Sequence, residues 1–319
     1  MTMIMKHSSD ELKELQSLSL DDKITLTKLR ITEWYNHYNG NVYVSFSGGK
    51  DSSVLMNIAR DIFPNIKGVF VDTGLEFPEV KKHVKSFDNV VILRPEKSFL
   101  QVIQDEGWVY PSKEIATDVY YRRKGSCWAI NAFQGLDNKG HCSPYKKSKM
   151  KWAWLIDSPI KISPFCCNIM KKKPAHKYTE ETGTIPIVAT MACESRLRYN
   201  AWMKNGCNAF DARFPSSKPM SFWTEQDVLE YIVSRHVKIP SVYGDIVKNK
   251  NGKYVTTGED RTGCVFCPIG CHLEKGDRRR FVRLSKTHPM LYKYCMDKLR
   301  MKELLDTIQE HTGCEKLYV

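Results

Sequence analysis

Residues 42–63 read VYVSFSGGKDSSVLMNIARDIF. A β-rich run opens this stretch, and from residue 52 onward the apolar side chains fall on one face of a helix. The two glycines between them let the backbone curl, so that successive N–H groups converge on an anion at the helix N-terminus. The hydroxyls add donors and the lysine adds a full charge, which predicts a phosphate-binding loop. Its residues are Ser47, Gly48, Gly49, Lys50, Asp51 and Ser52.

Further strands and helices alternate outward from this loop. The apolar patterns predict strands at 68–72, 90–93 and 186–190 and helices at 21–38, 99–105 and 289–309. Such cycles indicate an α/β fold with a parallel twisted sheet flanked by helices, followed by an irregular cysteine-rich C-terminal region and a terminal helix. The predicted divisions are an N-terminal helical segment (1–40), a nucleotide-binding core (41–240) with an insertion at 107–163, and a C-terminal region (241–319).

The composition narrows the class of protein. The chain has 319 residues and a net charge of +13, an excess that favours nucleotides or nucleic acid as partners, although each basic run taken alone fits a solvated surface. No stretch reaches the roughly 20 apolar residues that a membrane span needs. Because the polar start also lacks the apolar run of a signal peptide, we expect a cytoplasmic protein.

A second polar segment follows the next predicted strand. Residues 71–79 read VDTGLEFPE, and Asp72, Thr73 and Gly74 come directly after the strand. Ligands bind beyond the carboxyl ends of strands in open α/β sheets. Asp72 is therefore a candidate for hydrogen bonds to ribose or adenine, or for holding a metal ion such as Mg²⁺. A helix-capping role explains the same residue.

Four of the 11 cysteines form two pairs, the adjacent Cys166 and Cys167 and the C-x-x-C pair Cys264 and Cys267. In a reducing compartment, clustered cysteines indicate metal binding or catalysis rather than disulfides. Brought together, the four thiolates suit a 4Fe–4S cluster or a structural zinc ion. Adjacent cysteines chelate a single tetrahedral zinc ion poorly, which favours the cluster.

The loop resembles the pyrophosphate loop of N-type ATP pyrophosphatases and of the phosphoadenosine phosphosulfate (PAPS) and adenosine phosphosulfate (APS) reductases, and it lacks the Walker A spacing. The VDTGLEFPE segment is similar to that of the reductase branch. The resemblance implies an adenine nucleotide alpha-hydrolase-like fold that binds PAPS, APS or ATP. It also implies a 4Fe–4S cluster on Cys166, Cys167, Cys264 and Cys267. For the segment ESRLR (residues 194–198), the resemblance implies that Arg196 and Arg198 bind sulfate or phosphate through paired hydrogen bonds.

The C-terminus departs from the reductase pattern, since the family's Glu-Cys-Gly segment is absent. Cys314 near the end is a candidate nucleophile, with Lys50 as the catalytic cation, or it is an incidental cysteine. Three hypotheses follow. The first is a sulfonucleotide reductase that depends on a thiol reductant such as thioredoxin. The second is an ATP pyrophosphatase that adenylates a nucleic acid, DNA or tRNA, for sulfur insertion. The third is a non-catalytic sensor of nucleotide and cluster.

Overall fold

The computed structural model describes residues 6–319, so Met1 to Met5, part of the polar start and of the predicted segment 1–40, lie outside the described residues. The strands are β1 (Val42–Ser45), β2 (Lys67–Val71), β3 (Val90–Leu93), β4 (Ile185–Val188), β5 (Asn208–Ala209), β6 (Ser216–Ser217), β7 (Ile246–Lys248) and β8 (Tyr254–Thr256). The α-helices are α1 (Ser9–Ser17), α2 (Leu20–His37), α3 (Lys50–Ile62), α4 (Pro78–Lys85), α5 (Phe99–Asp105), α6 (Lys113–Arg123), α7 (Cys127–Phe133), α8 (Pro144–Lys147), α9 (Trp154–Asp157), α10 (Lys173–Thr182), α11 (Arg196–Asn205), α12 (Glu225–Ser234), α13 (Arg280–Thr287), α14 (Pro289–Lys293) and α15 (Met301–Thr312).

The main sheet has the strand order β3-β2-β1-β4-β6-β5, and every neighbouring pair is parallel except β5 with β6. The predicted parallel sheet flanked by helices is therefore confirmed. The chain runs from β1 outward through β2 and β3 on one side, whereas β4 lies on the other side of β1. The carboxyl ends of β1 and β4 thus form the switch point at which ligands bind in open α/β sheets.

Burial of apolar side chains holds β1 in the middle of the sheet and helix α3 next to it. Val44 in β1 and Phe46 just after it are fully buried, and so is the helical stripe that includes Val54, Leu55 and Ile58. Each such side chain contributes roughly 1.5–3 kcal/mol when it leaves water. The phosphate loop is consequently held between a buried strand and a helix with a buried apolar face.

The described chain divides into two compact units that interleave along the sequence. Of the described residues, unit 1 holds 6–72, 76–94 and 174–265, and unit 2 holds 73–75, 95–173 and 266–319. The main sheet and the phosphate loop belong to unit 1. These bounds differ from the sequence-based division into 1–40, 41–240 and 241–319, which remains a prediction.

Unit 2 contains the segment 107–163, which folds into the short helices α6 to α9. Lys149 is buried there and pairs with Asp118 at 2.6 Å and with Glu114 at 2.5 Å. The single terminal helix predicted at 289–309 is wrong. A π-helical turn (Tyr294–Lys298) follows α14, and Arg300, with a φ of +55°, separates that turn from α15. No helix in the part of the chain that is described is long and apolar enough to cross a membrane.

Candidate nucleotide-binding site

The phosphate loop turns at Gly48, whose φ of +73° lies in the left-handed region that favours glycine. A Cβ atom at this position would lie 2.5 Å from Cγ2 of Val84 and 2.9 Å from Cγ1 of Val80, both in α4. Helix α4 therefore packs so closely against the loop that a larger residue at position 48 would displace it.

Serine hydroxyls brace the loop from within. The Oγ atoms of Ser47 and Ser52 lie 3.0 Å apart, and the hydroxyls of Ser52 and Ser53 each donate to the carbonyl of Gly49 at 3.0 Å. Ser53 also contacts Nε2 of His83 at 2.9 Å, and burial lowers the pKa of His83 to about 4. The imidazole is consequently neutral at physiological pH and links α4 to the first turn of α3.

Lys50, the first residue of α3, is turned inward and only 4% exposed. Its Nζ donates to the carbonyl of Asp260 at 3.0 Å and lies 3.3 Å from Oε1 of Glu225. Its backbone N–H donates to the hydroxyl of Tyr243 at 3.1 Å, and that hydroxyl lies 2.7 Å from Oγ1 of Thr262. Both donor groups of the predicted phosphate-binding lysine are therefore engaged by residues far along the chain.

The carboxyl of Asp51 lies beside this lysine. Burial raises its pKa and the charge of Glu225 adds to that, while the charges of Lys50, Arg261 and Arg198 act in the opposite direction. Its Oδ1 atom is buried and has no hydrogen-bond partner within the described residues. Because buried polar atoms normally have partners, this oxygen is available to a ligand or a cation.

Positive charges gather at the same edge of the sheet, where the parallel strands end. Lys218 directly follows β6, and Arg198 lies in α11, the helix after β4. Burial lowers the pKa of Lys218, and the charge of Arg198 lowers it further; burial and the charge of Arg261 lower the pKa of Arg198 in the same way. Since like charges repel, this group favours a bound anion.

The ESRLR segment supplies Arg198 but leaves Arg196 outside this group of charges. Ser195 caps α11, because its hydroxyl accepts from the N–H of Arg198 at 3.3 Å, and the guanidinium of Arg198 pairs with Glu194. Arg196 is the exposed first residue of the helix. Of the two predicted arginines, Arg198 is the one that interacts electrostatically with Asp51.

The segment after β2 is divided between the two units. Asp72 belongs to unit 1 and its carboxylate lies 2.6 Å from Nζ of Lys81. Thr73 and Gly74 belong to unit 2, where Oγ1 of Thr73 accepts from the N–H of Leu75 at 3.2 Å. Their participation in nucleotide binding, and a metal ion at Asp72, remain predictions.

Unit 2 contains a group of thiols that interact with one another, and we call it the thiol cluster (Cys166, Cys167, Cys267 and Cys271). A hydrogen bond with the Cys166 thiol and the nearby Lys113 lower the pKa of Cys167 to about 5. Burial raises the pKa of Cys267, and it raises that of Cys271 to about 12. Cys264 falls in unit 1.

This donor chemistry suits a thiolate-ligated group, since one thiol already favours the thiolate that metals bind. Over residues 6–319, however, no three or more His, Cys, Asp or Glu side chains are arranged around a point that could hold a metal ion. The predicted ligand set of Cys166, Cys167, Cys264 and Cys267 therefore remains a prediction.

The C-terminal segment around Cys314 is held to unit 2. Glu315 accepts from the N–H of Gly276 at 2.9 Å, and the N–H of Leu317 donates to Gln309 at 3.1 Å. Leu317 itself is buried. Cys314 is half-buried, and it contributes to the raised pKa of Cys271.

Part of the chain matches the model of a known protein family. Residues 41–109 match the model of the phosphoadenosine phosphosulfate reductase domain. The predicted resemblance to the PAPS reductase family is confirmed for these residues. The PAPS reductase match spans β1 to α5 and includes the phosphate loop and Asp72. The two arginines, the four cysteines of the predicted ligand set and Cys314 lie beyond it.

Two curated proteins of Methanocaldococcus jannaschii are similar to the chain. The uncharacterized protein MJ0973 is 25% identical over 301 residues, which cover 93% of this chain and 55% of that protein. The uncharacterized protein MJ0066 is 22% identical over 269 residues, which cover 79% of this chain and 41% of that protein. The chain thus spans about half the length of these relatives. A solved PAPS reductase from Candida auris, in complex with phosphate, aligns with 78% of this chain and 98% of its own at 13% identity and a TM-score of 0.39.

The sequence alone did not identify the residues around Lys50 or the lysine that interacts with Arg198. Tyr243 and Thr262 carry no motif of their own, and Lys218 lies in no basic run. Glu225 lies in the segment FWTEQDVL, where Thr224 and Asp227 form a capping box that explains the motif structurally. The only sequence signal was the acidic residue Glu225 next to the capping residue, and it did not by itself indicate a contact with Lys50.

Proposed function

We propose that the protein is an enzyme of the PAPS reductase type that binds an adenine nucleotide at the Ser47–Ser52 loop and uses it for sulfur chemistry. The observation that carries this proposal is the position of the loop. It lies at the switch point of the sheet, at the N-terminus of a 13-residue helix. Arg198, which interacts electrostatically with Asp51 of the loop, also interacts with Lys218 and with Arg261. Backbone N–H groups, a helix dipole and gathered cations all favour a phosphate.

The loop residues would position the nucleotide by charge compensation. Lys50 would exchange its bonds to Asp260 and Glu225 for phosphate oxygens, and Ser47 and Ser52 would donate hydroxyl hydrogen bonds. Arg198, with Lys218, would hold a second anionic group such as sulfate, since guanidinium groups bind such oxyanions in pairs of hydrogen bonds. Holding the reacting groups in place in this way accelerates a reaction without covalent help from the loop.

Cys166, Cys167, Cys264 and Cys267 are proposed as the ligands of a 4Fe–4S cluster. Support comes from the thiolate character of Cys167 and from the mutual influence of Cys167 and Cys267 in unit 2. A bound cluster would supply a redox centre, and together with its four thiolates it would carry a net negative charge. Lys113 and Lys171, whose charges favour the Cys167 thiolate, would stabilise the negative charge of its ligands.

In the reductase form of the proposal, the Cys314 thiolate attacks the sulfur of PAPS or APS. The S–O bond to the nucleotide breaks, the adenine nucleotide leaves, and a thiosulfonate forms on Cys314. A thiol reductant such as thioredoxin then attacks the cysteine sulfur, releases sulfite and forms a disulfide. Glu315 and Leu317, which follow Cys314, are hydrogen-bonded within unit 2, so a mobile Cys314 would have to break these bonds.

The same bonds favour a second candidate function, an ATP pyrophosphatase that adenylates a nucleic acid for sulfur insertion. This reaction needs no mobile C-terminal thiol, and the net charge of +13 suits a polyanionic acceptor. The phosphate loop would then bind the β- and γ-phosphates of ATP, and the acceptor would attack the α-phosphate and release pyrophosphate.

A product assay on anaerobically purified protein tests both candidates. PAPS, APS and ATP are offered separately with a thiol reductant, and sulfite, pyrophosphate and AMP are measured. Sulfite that disappears in the Cys314→Ser variant but persists in Cys142→Ser supports the reductase, because Cys142 is an exposed cysteine of the helical insertion. Pyrophosphate and AMP from ATP, stimulated by DNA or tRNA and without sulfite, would establish the second function. Absence of every product would contradict the proposal.

A further inference from the structure

The N-terminus of α3 is covered from within the chain. In a phosphate-binding loop, the free N–H groups at the start of the helix point toward the anion. Here the N–H of Lys50 donates to the hydroxyl of Tyr243 at 3.1 Å. A Cβ atom added to Gly49 would lie 3.0 Å from that hydroxyl and 2.9 Å from Oγ1 of Thr262. Two hydroxyl groups therefore lie directly against the backbone that a phosphate would approach.

The ammonium group of Lys50 also has its hydrogen-bond partner close to Thr262. Nζ of Lys50 donates to the carbonyl of Asp260 at 3.0 Å, two residues before Thr262. Tyr243 and Thr262 are joined by a hydrogen bond of 2.7 Å, and the tyrosine is only 1% exposed, so its hydroxyl is held in place. The tyrosine hydroxyl and the Asp260 carbonyl thus accept the hydrogen bonds that phosphate oxygens would accept from Lys50.

We propose that this group, the loop clasp (Tyr243 and residues 260–262), is an internal competitor that occupies the anion position of the phosphate loop and is displaced when a nucleotide phosphate binds. The inference rests on the proposed function in one respect, namely that the anion is the phosphate of an adenine nucleotide. It adds that the loop exists in a closed form and an open form and that the two hydroxyls set the balance between them.

The energetic consequence is a lowered apparent affinity. For a ligand that binds only the open form, the apparent dissociation constant equals the intrinsic one divided by the fraction of molecules that are open. Each hydroxyl that is removed takes a hydrogen bond from the closed form only, and without the tyrosine hydroxyl the Lys50 N–H is left unsatisfied there. Variants that lack these hydroxyls should therefore bind phosphate more tightly, which is the opposite of what the loss of a ligand-binding hydroxyl would do.

The test measures binding of inorganic pyrophosphate and, separately, ATP to the full chain by calorimetry. The variants are Tyr243→Phe, which keeps the ring, and Thr262→Val, which keeps the shape of the side chain. The matched control is Tyr231→Phe, another buried tyrosine, whose hydroxyl donates to Asn57 at 2.7 Å and not to the loop. Circular dichroism and melting temperature verify that each variant is folded.

We expect both ligands to bind each hydroxyl-deleted variant roughly three- to tenfold more tightly than the wild type, the change that one hydrogen bond of ordinary strength produces. The control should bind as the wild type does. Weaker or unchanged binding in Tyr243→Phe and Thr262→Val, with a wild type that does bind, overturns the clasp while the proposed function stands. If none of the four proteins binds either ligand, the proposed nucleotide site fails and the clasp fails with it.

Discussion

The phosphate loop and the thiol cluster are assembled by the chain in different ways. The loop consists of consecutive residues between β1 and α3, and its serines bond to one another and to Gly49. The thiol cluster joins Cys166 and Cys167 to Cys267 and Cys271, which lie about 100 residues further along the chain.

This difference determines how each region responds to change. A loop of consecutive residues spreads anion binding over several N–H groups and hydroxyls, so the loss of one group weakens the site by degrees. A set of thiols from distant segments would have no such redundancy, because each cysteine of the proposed ligand set would be a separate ligand. We therefore expect an all-or-none response in the cysteines and graded responses in the loop.

The largest effect should follow Cys167→Ser. Serine is a poor ligand for iron, so anaerobically purified variant should fall from about four iron atoms per chain to below about one, with loss of the visible absorption of the cluster. Iron and sulfide analysis checks this. Cys142→Ser, which changes an exposed thiol of the insertion, is the control and should keep its iron. Equal iron in both variants would contradict the ligand set, and zinc in place of iron would favour a structural zinc site.

Within the loop, Gly48→Ala should be the most damaging change. Alanine would combine a left-handed φ of +73° with a Cβ atom 2.5 Å from Val84, at a cost of about 2–5 kcal/mol. Gly140→Ala is the matched control, because its φ is +86° but nothing lies within 4 Å of the added carbon, so it should cost only about 1–2 kcal/mol. Urea denaturation measures both. Equal losses would show that α4 yields to the extra atom.

The loop and the strands around it could be predicted because their signals are local. A β-rich run, a glycine pair and an amphipathic stripe stand next to one another, and the four predicted strands form with ends shifted by at most two residues. Helix 99–105 was predicted with the bounds that the structure shows. These features depend on the spacing of apolar residues and on the positions of glycines, and both can be read directly from the sequence.

The clasp and the break in the terminal helix could not be predicted for the opposite reason. Tyr243 reaches Lys50 across 193 positions and Asp260 reaches it across 210, so no window of sequence contains both partners. At the break, Arg300 takes a left-handed φ of +55°, a conformation that glycine or asparagine usually marks. Its neighbours Leu299 and Met301 are buried by tertiary packing. The helical pattern of apolar residues in the sequence does not show that this packing interrupts the helix.

A smaller effect concerns the pH dependence of stability at the contact between α4 and the loop. Burial lowers the folded-state pKa of His83 to about 4, below the unfolded value of about 6.5. Protonation therefore favours the unfolded chain, so this contribution is fully present above about pH 6.5 and is lost as the pH falls toward 4, by at most about 3 kcal/mol. Denaturation at several pH values should show a flatter slope in His83→Gln than in the wild type. His141→Gln, an exposed histidine of unit 2, should keep the wild-type slope; a slope that His83→Gln leaves unchanged would contradict the assignment.

The smallest expected effect tests whether removing one charge near Lys50 changes the affinity for phosphate only slightly, as expected for a loop whose groups share the binding. Glu225 lies 3.3 Å from Nζ of Lys50 and its side chain is 53% exposed, so the pair contributes no more than about 1 kcal/mol. Glu225→Gln removes a negative charge that competes with an incoming phosphate for this lysine. Pyrophosphate should then bind about two- to fivefold more tightly, and the gain should shrink as salt is added, because exposed charges are screened.

Glu230→Gln, an exposed glutamate on the same helix, controls for the general change in charge and should leave affinity unchanged. A weaker affinity in Glu225→Gln would mean that this carboxylate holds a cation or a ligand hydroxyl, and the loop would then depend on single residues in the way that the thiol cluster does.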